Sequence, residues 1–228
     1  MRHSPRVYVQ FGLDELNIPL PKETAHHLVH VLRLSSGDSV NIFNELAGEW
    51  AATLDVRKNG CAAQRRQCLR TAERRKKQVW LAFSPLKPNV THVVVEKATE
   101  LDVTHLQPVI MERTQGRGWL TDKWKRVAVE AAQQCERLDV PEIHEPLHFD
   151  EFLEQKSPVE WFTAMERCQE APQLQKPAGS WGVIIGPEGG FSESERARLL
   201  ASTQAMSLGK NILRAETAAI VSLATLMF

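Results

Sequence analysis

The chain has 228 residues, of which 43% are hydrophobic and 25% charged, with 28 Lys+Arg balanced by 28 Asp+Glu. That length supports one large or two modest domains with true hydrophobic cores, and no window approaches the roughly 18–20 continuous apolar residues that a membrane span requires. The neutral total hides an asymmetry: residues 1–77 hold 13 Lys+Arg against 8 Asp+Glu, and the remainder 15 against 20. A basic recognition module ahead of a differently employed body fits this pattern, as does a solvated basic linker. Cys61, Cys68, Cys135 and Cys168 show no C-x-x-C spacing, and no signal-like apolar segment opens the chain. Both facts lead us to expect reduced thiols and a cytoplasmic protein.

In chain order, VYVQF (7–11), SVNIF (39–43) and WAATLDV (50–56) read as short strands divided by Gly and Asn turn signals. One helix, Thr24 to Leu32, interrupts them, with Ala25, Leu28, Val29 and Leu32 on one face. The segment QRRQCLRTAERRKK (64–77) reads as a linker, with a boundary near Lys77. Beyond it the texture changes to alternating strands and helices. VWLAFS (79–84), HLQPVI (105–110), VEWFTAM (159–165), WGVII (181–185) and AMSLG (205–209) are expected strands. VTHVVVEKATEL (90–101), KWKRVAVEAAQQCERL (123–138), SESERARLLAST (192–203) and RAETAAIVSLATLMF (214–228) are expected helices. Such alternation predicts an α/β fold, a mostly parallel sheet covered by helices, with ligands bound beyond the carboxyl ends of the strands.

Two glycine-bearing loops fall at such ends, and we expect them on adjacent strands. The first, GPEGGF (186–191), matches neither the dinucleotide fingerprint nor the P-loop. Pro187 lacks an N–H and Glu188 would repel a phosphate, so the loop suits a neutral or cationic ligand such as ribose hydroxyls, an ammonium or a sulfonium. Ser192 and Glu195 then form a capping box, with Phe191 placed as a hydrophobic staple. The second loop, LGKNILRAETAA (208–219), sets Arg214, Glu216 and Thr217 at the entry to an apolar helix. Taken alone that arrangement fits an ordinary cap with a surface ion pair, but two such loops from adjacent strands point to a site.

GPEGGFSESE followed by LGKNILRAETAA resembles the paired C-terminal signatures of the RsmE family, SPOUT-class methyltransferases that methylate N3 of a uridine in 16S ribosomal RNA. HHLVHVLRLSSGD (26–38), EKATELDV (96–103) and AAQQCERLDVPEI (131–143) agree in order and spacing, so the resemblance spans nearly the whole chain. Asp102 and Asn211 depart from it, standing where Gly and Arg are usual. The resemblance implies a PUA-like RNA-binding β-barrel in residues 1–72 and a SPOUT domain with a C-terminal trefoil knot in residues 73–228. It also implies a homodimer that acts on 16S rRNA within the small ribosomal subunit.

By the same resemblance, S-adenosylmethionine would be held by Leu86, Ile185, Gly186, Pro187, Glu188, Gly189, Gly190, Leu208, Gly209, Ile212, Leu213 and Thr217. Arg214 would stabilise charge on the uracil oxygens, with Glu216 or Glu188 as proton acceptor. Arg6, His26, His27, Arg33, Lys87 and Lys97 are the expected RNA contacts, together with the 65–77 stretch. Phosphate contacts of this kind weaken steeply with salt. No metal site is expected, because the i, i+4 pair His26 and His30 has no third ligand nearby in sequence. Core packing is the expected role of most tryptophans, Trp119, Trp124, Trp161 and Trp181 among them. SPOUT chemistry on another RNA and a non-catalytic ribosome-assembly factor are the rival readings, and a nucleotide-dependent oxidoreductase is remote.

Overall fold

A computed structural model describes residues 4–12, 14–58, 60–72, 75–115, 121–166, 168 and 176–228. The chain divides into two compact units, Met1–Arg74 with Ala132–Val140, and Arg75–Ala131 with Pro141–Phe228. Residues 73 and 74, beside the expected boundary, lie outside the described residues, as does Trp119.

The first unit contains β1 (Arg6–Tyr8), β2 (Asn17–Pro19), α1 (Lys22–His26), β3 (Ser39–Asn44), β4 (Gly48–Arg57) and β5 (Gly60–Arg70). The strands form one mixed sheet in the order β1-β3-β4-β5-β2, with β1 parallel to β3 and the other pairs antiparallel. Val7, Ile18, Leu28, Val40, Ile42, Leu54 and Ala63 close over one core. The buried Asn44 is fully satisfied: its amide donates to the carbonyls of Val9 and Phe11, and its oxygen accepts from the N–H groups of Leu46 and Ala47.

The basic segment read as a linker is strand for half its length. Residues up to Arg70 pair with β4, with Cys61, Ala62 and Ala63 buried, Arg65 half-buried and Arg66 exposed. High local charge masked this half-buried pattern. Arg65 also lies over the Trp50 ring at 4.3 Å.

The second unit contains β6 (Val79–Phe83), α2 (Pro88–Glu100), β7 (His105–Ile110), α3 (Thr121–Gln134), whose last residues belong to the first unit, β8 (Glu142–Ile143), β9 (Leu147–His148) and α4 (Phe149–Gln155). It continues through β10 (Glu160–Ala164), β11 (Trp181–Ile185), α5 (Glu193–Ser202), β12 (Gln204–Met206) and α6 (Ala215–Met227). Every strand pairing is parallel, in the order β12-β10-β11-β6-β7-β8, with β9 also against β7. Both faces are covered, so β6 and β11 read as continuous apolar runs. Ala82 and Ile184 bury one face with Phe152, Trp161 and Leu199, while Phe83 reaches Trp124 of α3 on the other. No helix among the described residues is long and apolar enough to cross a membrane. The four cysteines are free thiols.

Candidate active site

Because all strands of the second sheet run in parallel, the segments after β6, β11 and β12 share its carboxyl edge. The loops after β11 and β12 do not come from adjacent strands, as expected from sequence, since β10 lies between them. A parallel sheet can insert a strand between two that are close in sequence, and apolar runs do not encode that order.

The segments after β6 and β11 meet directly. The Ser84 N–H donates to the Ile185 carbonyl at 3.0 Å. Beyond Ser84, buried Leu86 is fixed through both backbone groups by the Thr91 hydroxyl, at 3.0 and 3.1 Å. Lys87 is exposed and precedes Pro88, whose locked φ starts α2.

The first glycine loop is tightly braced. Pro187 is buried, and its carbonyl accepts the Gly190 N–H at 2.9 Å, closing a turn with Glu188 and Gly189 exposed at its tip. Gly190 has φ +68, and a Cβ on Gly186 would press on the Phe191 ring at 3.1 Å, so both positions require glycine's freedom or absence of bulk. The expected capping box at Ser192 and Glu195 is present. Phe191 is not a staple in the strict sense, because the facing helix position is Arg196; it packs instead into the cluster containing Leu199 and Met111.

Two braces of this loop escaped the sequence reading. Glu195, only 4% exposed, also accepts the Glu112 N–H at 2.8 Å. Arg113 donates to the Gly189 carbonyl at 2.9 Å. Both come from the segment after β7, and no local signal ties that segment to a loop far along the chain.

The second loop is open. Leu208 and Leu213 are half-buried, Gly209 is exposed at φ +109, and Ile212 is 59% exposed. Arg214 is exposed and occupies the N-cap of α6 without a side-chain capping bond; Glu216 is half-buried and Thr217 exposed in the first turn. Among the described residues, neither Arg214 nor Glu216 has a side-chain hydrogen bond or ion pair, so the alternative, a simple surface pair, is not formed. Helix α6 packs against β11 and α2, which carries these groups to the edge where Leu86 and Ile185 lie.

The expected RNA contacts separate into distinct environments. Arg6 is 10% exposed and spent internally, bound to Glu49 at 2.9 Å and to the carbonyls of Ala132, Gln133 and Arg137. Its guanidinium therefore fastens the first unit, and the phosphate-contact reading gives way to a structural one. Lys97 sits between Glu96 and Glu100 at 2.7 and 2.8 Å; the bond to Glu100, then that to Glu96, raises its pKa. Of the 65–77 stretch, Arg70 pairs with Glu49 and Arg75 with Asp102.

His26, His27 and Arg33 are exposed together, beside exposed Val31 and Leu32. Helix α1 runs on here as a π-helical turn, His27–Val31, and Arg33 adopts φ 58, an unusual backbone value for a side chain of its size. The His26 and His30 rings lie 4.8 Å apart, and no third metal-ligating group joins them among the described residues. A different trio, His105, Glu142 and His144, is brought together instead.

Residues 73–227 match the model of an RNA methyltransferase domain, and residues 20–63 that of an RNA methyltransferase PUA domain. The chain is 32% identical over 231 residues to ribosomal RNA small subunit methyltransferase E of Rickettsia conorii, covering 96% of this chain and 93% of that protein. It is 31% identical to the Synechocystis protein of the same name, over 92% of this chain and 72% of that one. Among solved structures, ribosomal RNA small subunit methyltransferase E from Neisseria gonorrhoeae, bound to S-adenosyl methionine, superposes with a TM-score of 0.84 at 27% identity, covering 98% and 96% of the two chains. A Legionella pneumophila protein solved with the same cofactor gives 0.85 at 27% identity, covering 98% of this chain and 97% of that one.

Proposed function

Because the chain belongs to the ribosomal RNA small subunit methyltransferase E family, we propose that it methylates N3 of a uridine in the 16S rRNA of the small ribosomal subunit, with S-adenosylmethionine as donor. The observation that carries this reading is the pairing of a braced loop with an open one at a single sheet edge. Gly190 and Gly209 both have positive φ and open space where a Cβ would stand, so backbone is presented bare to a ligand. Buried Leu86, Ile185 and Pro187 supply an apolar floor. Gly186, Glu188, Gly189, Leu208, Ile212, Leu213 and Thr217 complete the proposed cofactor wall, and the Glu188 carboxylate suits a cation.

The bound donor supplies an electrophilic methyl group on a sulfonium. What remains for the chain is to position the base and manage one proton. Uracil N3 is weakly acidic, and loss of its proton spreads negative charge onto the flanking carbonyl oxygens. Arg214, exposed and without a side-chain partner among the described residues, is the group to stabilise that charge. Glu216 accepts the proton, with Glu188 as the second candidate.

Within this proposal residues 1–72 form a PUA-like β-barrel that binds RNA, and residues 73–228 a SPOUT domain with a C-terminal trefoil knot. His26, His27 and Arg33 offer the exposed RNA face, with Lys87 at the cofactor edge; Lys97 carries its two carboxylates with it. The enzyme works as a homodimer in the cytoplasm. Exposed Ile212 and Phe228, the latter 78% accessible at the end of the mainly apolar α6, are the apolar surface a partner would cover.

The test is methyl transfer from labelled S-adenosylmethionine to unmodified small subunits and to naked 16S rRNA, with nucleoside mass spectrometry of the product. Label in 3-methyluridine is expected, with assembled subunits preferred. Label in another nucleoside would reassign the acceptor, and no label despite cofactor binding would reject the RNA target.

A further inference from the structure

The strand register aligns one row of side chains across five strands. Trp161 of β10 pairs with Gly182 of β11, Gly182 with Trp80 of β6, Trp80 with His105 of β7, and His105 with Glu142 of β8. Cross-strand partners share a face, and His144, two residues beyond Glu142, returns to it. Gly182 leaves room for the indoles, since a Cβ there would meet the Trp161 ring at 2.5 Å. Trp80 stacks on both imidazoles, with centroids 4.0 Å from His105 and 5.0 Å from His144 at interplanar angles of 12° and 15°. The row lies near the amino ends of β6 and β7, away from the glycine loops at the opposite edge.

We propose that His105, His144 and Glu142 form a binding site for a divalent transition-metal ion of the Zn²⁺ class. His105 Nδ1 faces His144 Nε2 at 3.1 Å and the Glu142 carboxylate at 3.5 Å. Ligands about 2.0–2.1 Å from a tetrahedral zinc are about 3.3 Å from one another, so two edges of that tetrahedron are already set. The donor atoms of all three residues lie within 4.8 Å of one another. Glu142, 65% exposed, lies 3.7 Å from the other ring nitrogen of His144, Nδ1, and closes the remaining edge by side-chain rotation toward Nε2. Stacking on Trp80 fixes the ring planes, which reduces the ordering left for the ion to impose. Two imidazoles and one carboxylate match the borderline preference of Zn²⁺ or Co²⁺ and leave one coordination position. His144 also lines a cleft of about 310 Å³ with Gln107, Glu145, Lys156 and Trp161. The alternative is a bare imidazole–imidazole hydrogen bond resting on the indole.

Titration of the reduced full-length protein with Co²⁺ separates the two. One equivalent should give the visible spectrum of a nitrogen- and oxygen-ligated tetrahedral ion without thiolate charge transfer, and Zn²⁺ should displace it and raise Tm. Glu142→Gln, at an exposed side chain, and His144→Ala should each weaken binding about tenfold or more, whereas His30→Ala on the surface pair leaves it unchanged. Cofactor affinity, read at the opposite sheet edge, should be the same in all three variants and certifies their folding. Absence of the spectrum, a thiolate band, or undiminished affinity in His144→Ala would overturn the assignment.

Discussion

Glu195 accepts the backbone N–H of Glu112 at 2.8 Å, while its second oxygen takes the N–H of Ser192 at 2.9 Å. One buried carboxylate therefore joins the segment after β7 to the end of the first glycine loop. Glu195→Ala strands two N–H groups, a loss of about 2 kcal/mol readable as a lower urea midpoint. Cofactor affinity by calorimetry should fall with it, and Glu195→Gln, which keeps one acceptor, should lose less of both. Unchanged affinity in the alanine variant would mean that the loop holds its shape without this brace.

Among the described residues Arg214 has no side-chain partner, so its removal should act on chemistry more than on folding. Arg214→Ala is expected to lower kcat about 10²-fold, with Tm and cofactor affinity unchanged. Lysine should recover little, since a point charge does not reproduce the planar fork.

Glu216 is tested by Glu216→Gln across pH. As the proton acceptor it should lower kcat by ~10²–10⁴ and abolish the acid limb of the pH–rate profile. If kcat holds and only Tm drops, Glu216 is a helix-terminus residue and Glu188→Gln becomes the decisive variant.

Glu49 ties Arg6 and Arg70 into the first unit. Burial works to raise its carboxyl pKa, but the hydrogen bonds and charge of the two arginines outweigh burial and hold it below its ordinary value. A depressed carboxylate stabilises the fold above its unfolded pKa, and that contribution disappears as pH falls through the folded one. Glu49→Gln should therefore cost about 3 kcal/mol near neutrality, and the gap from the unsubstituted protein should close in acid. Urea unfolding at a series of pH values measures it.

Asp102 takes φ 60 at the end of α2. Its N–H bonds to Thr99 and that of Val103 to Ala98, a Schellman closure that favours glycine. Its carboxylate binds Arg75, with one contact at 2.6 Å. Asp102→Ala loses the ion pair and keeps the backbone cost, whereas Asp102→Gly relieves it. The glycine variant should therefore be the more stable of the two by about 1 kcal/mol, as measured by thermal unfolding. Equal stabilities would show that the turn carries no strain.

The glycine loops, the capping box and the alternation of strands and helices were legible in the sequence because each is written in neighbouring residues. The QRRQ segment was misread because its charge conceals a strand whose apolar residues lie just before it. The position of β10 between the two loop-bearing strands, and the reach of Arg113 and Glu112 to the first loop, depend on pairings between distant segments. Glu142 and His144 show a two-residue spacing suited to one strand face, but only the register with β7 brings His105 beside them. Short elements, Asn17–Pro19, Leu147–His148 and Phe149–Gln155, carried too few periodic residues to be seen.

The placement of β11 between β6 and β10 also bears on how the protein is made. During synthesis, β6 can join β7 early, but its other edge has no partner until Trp181–Ile185 has been added. At ~5–20 residues per second that interval is on the order of ten seconds. For that time a nascent chain exposes the bare backbone edge of an apolar strand, the kind of surface that pairs with other chains. Contacts with ribosome-bound chaperones should therefore concentrate on Val79–Phe83 and end abruptly once β11 has emerged.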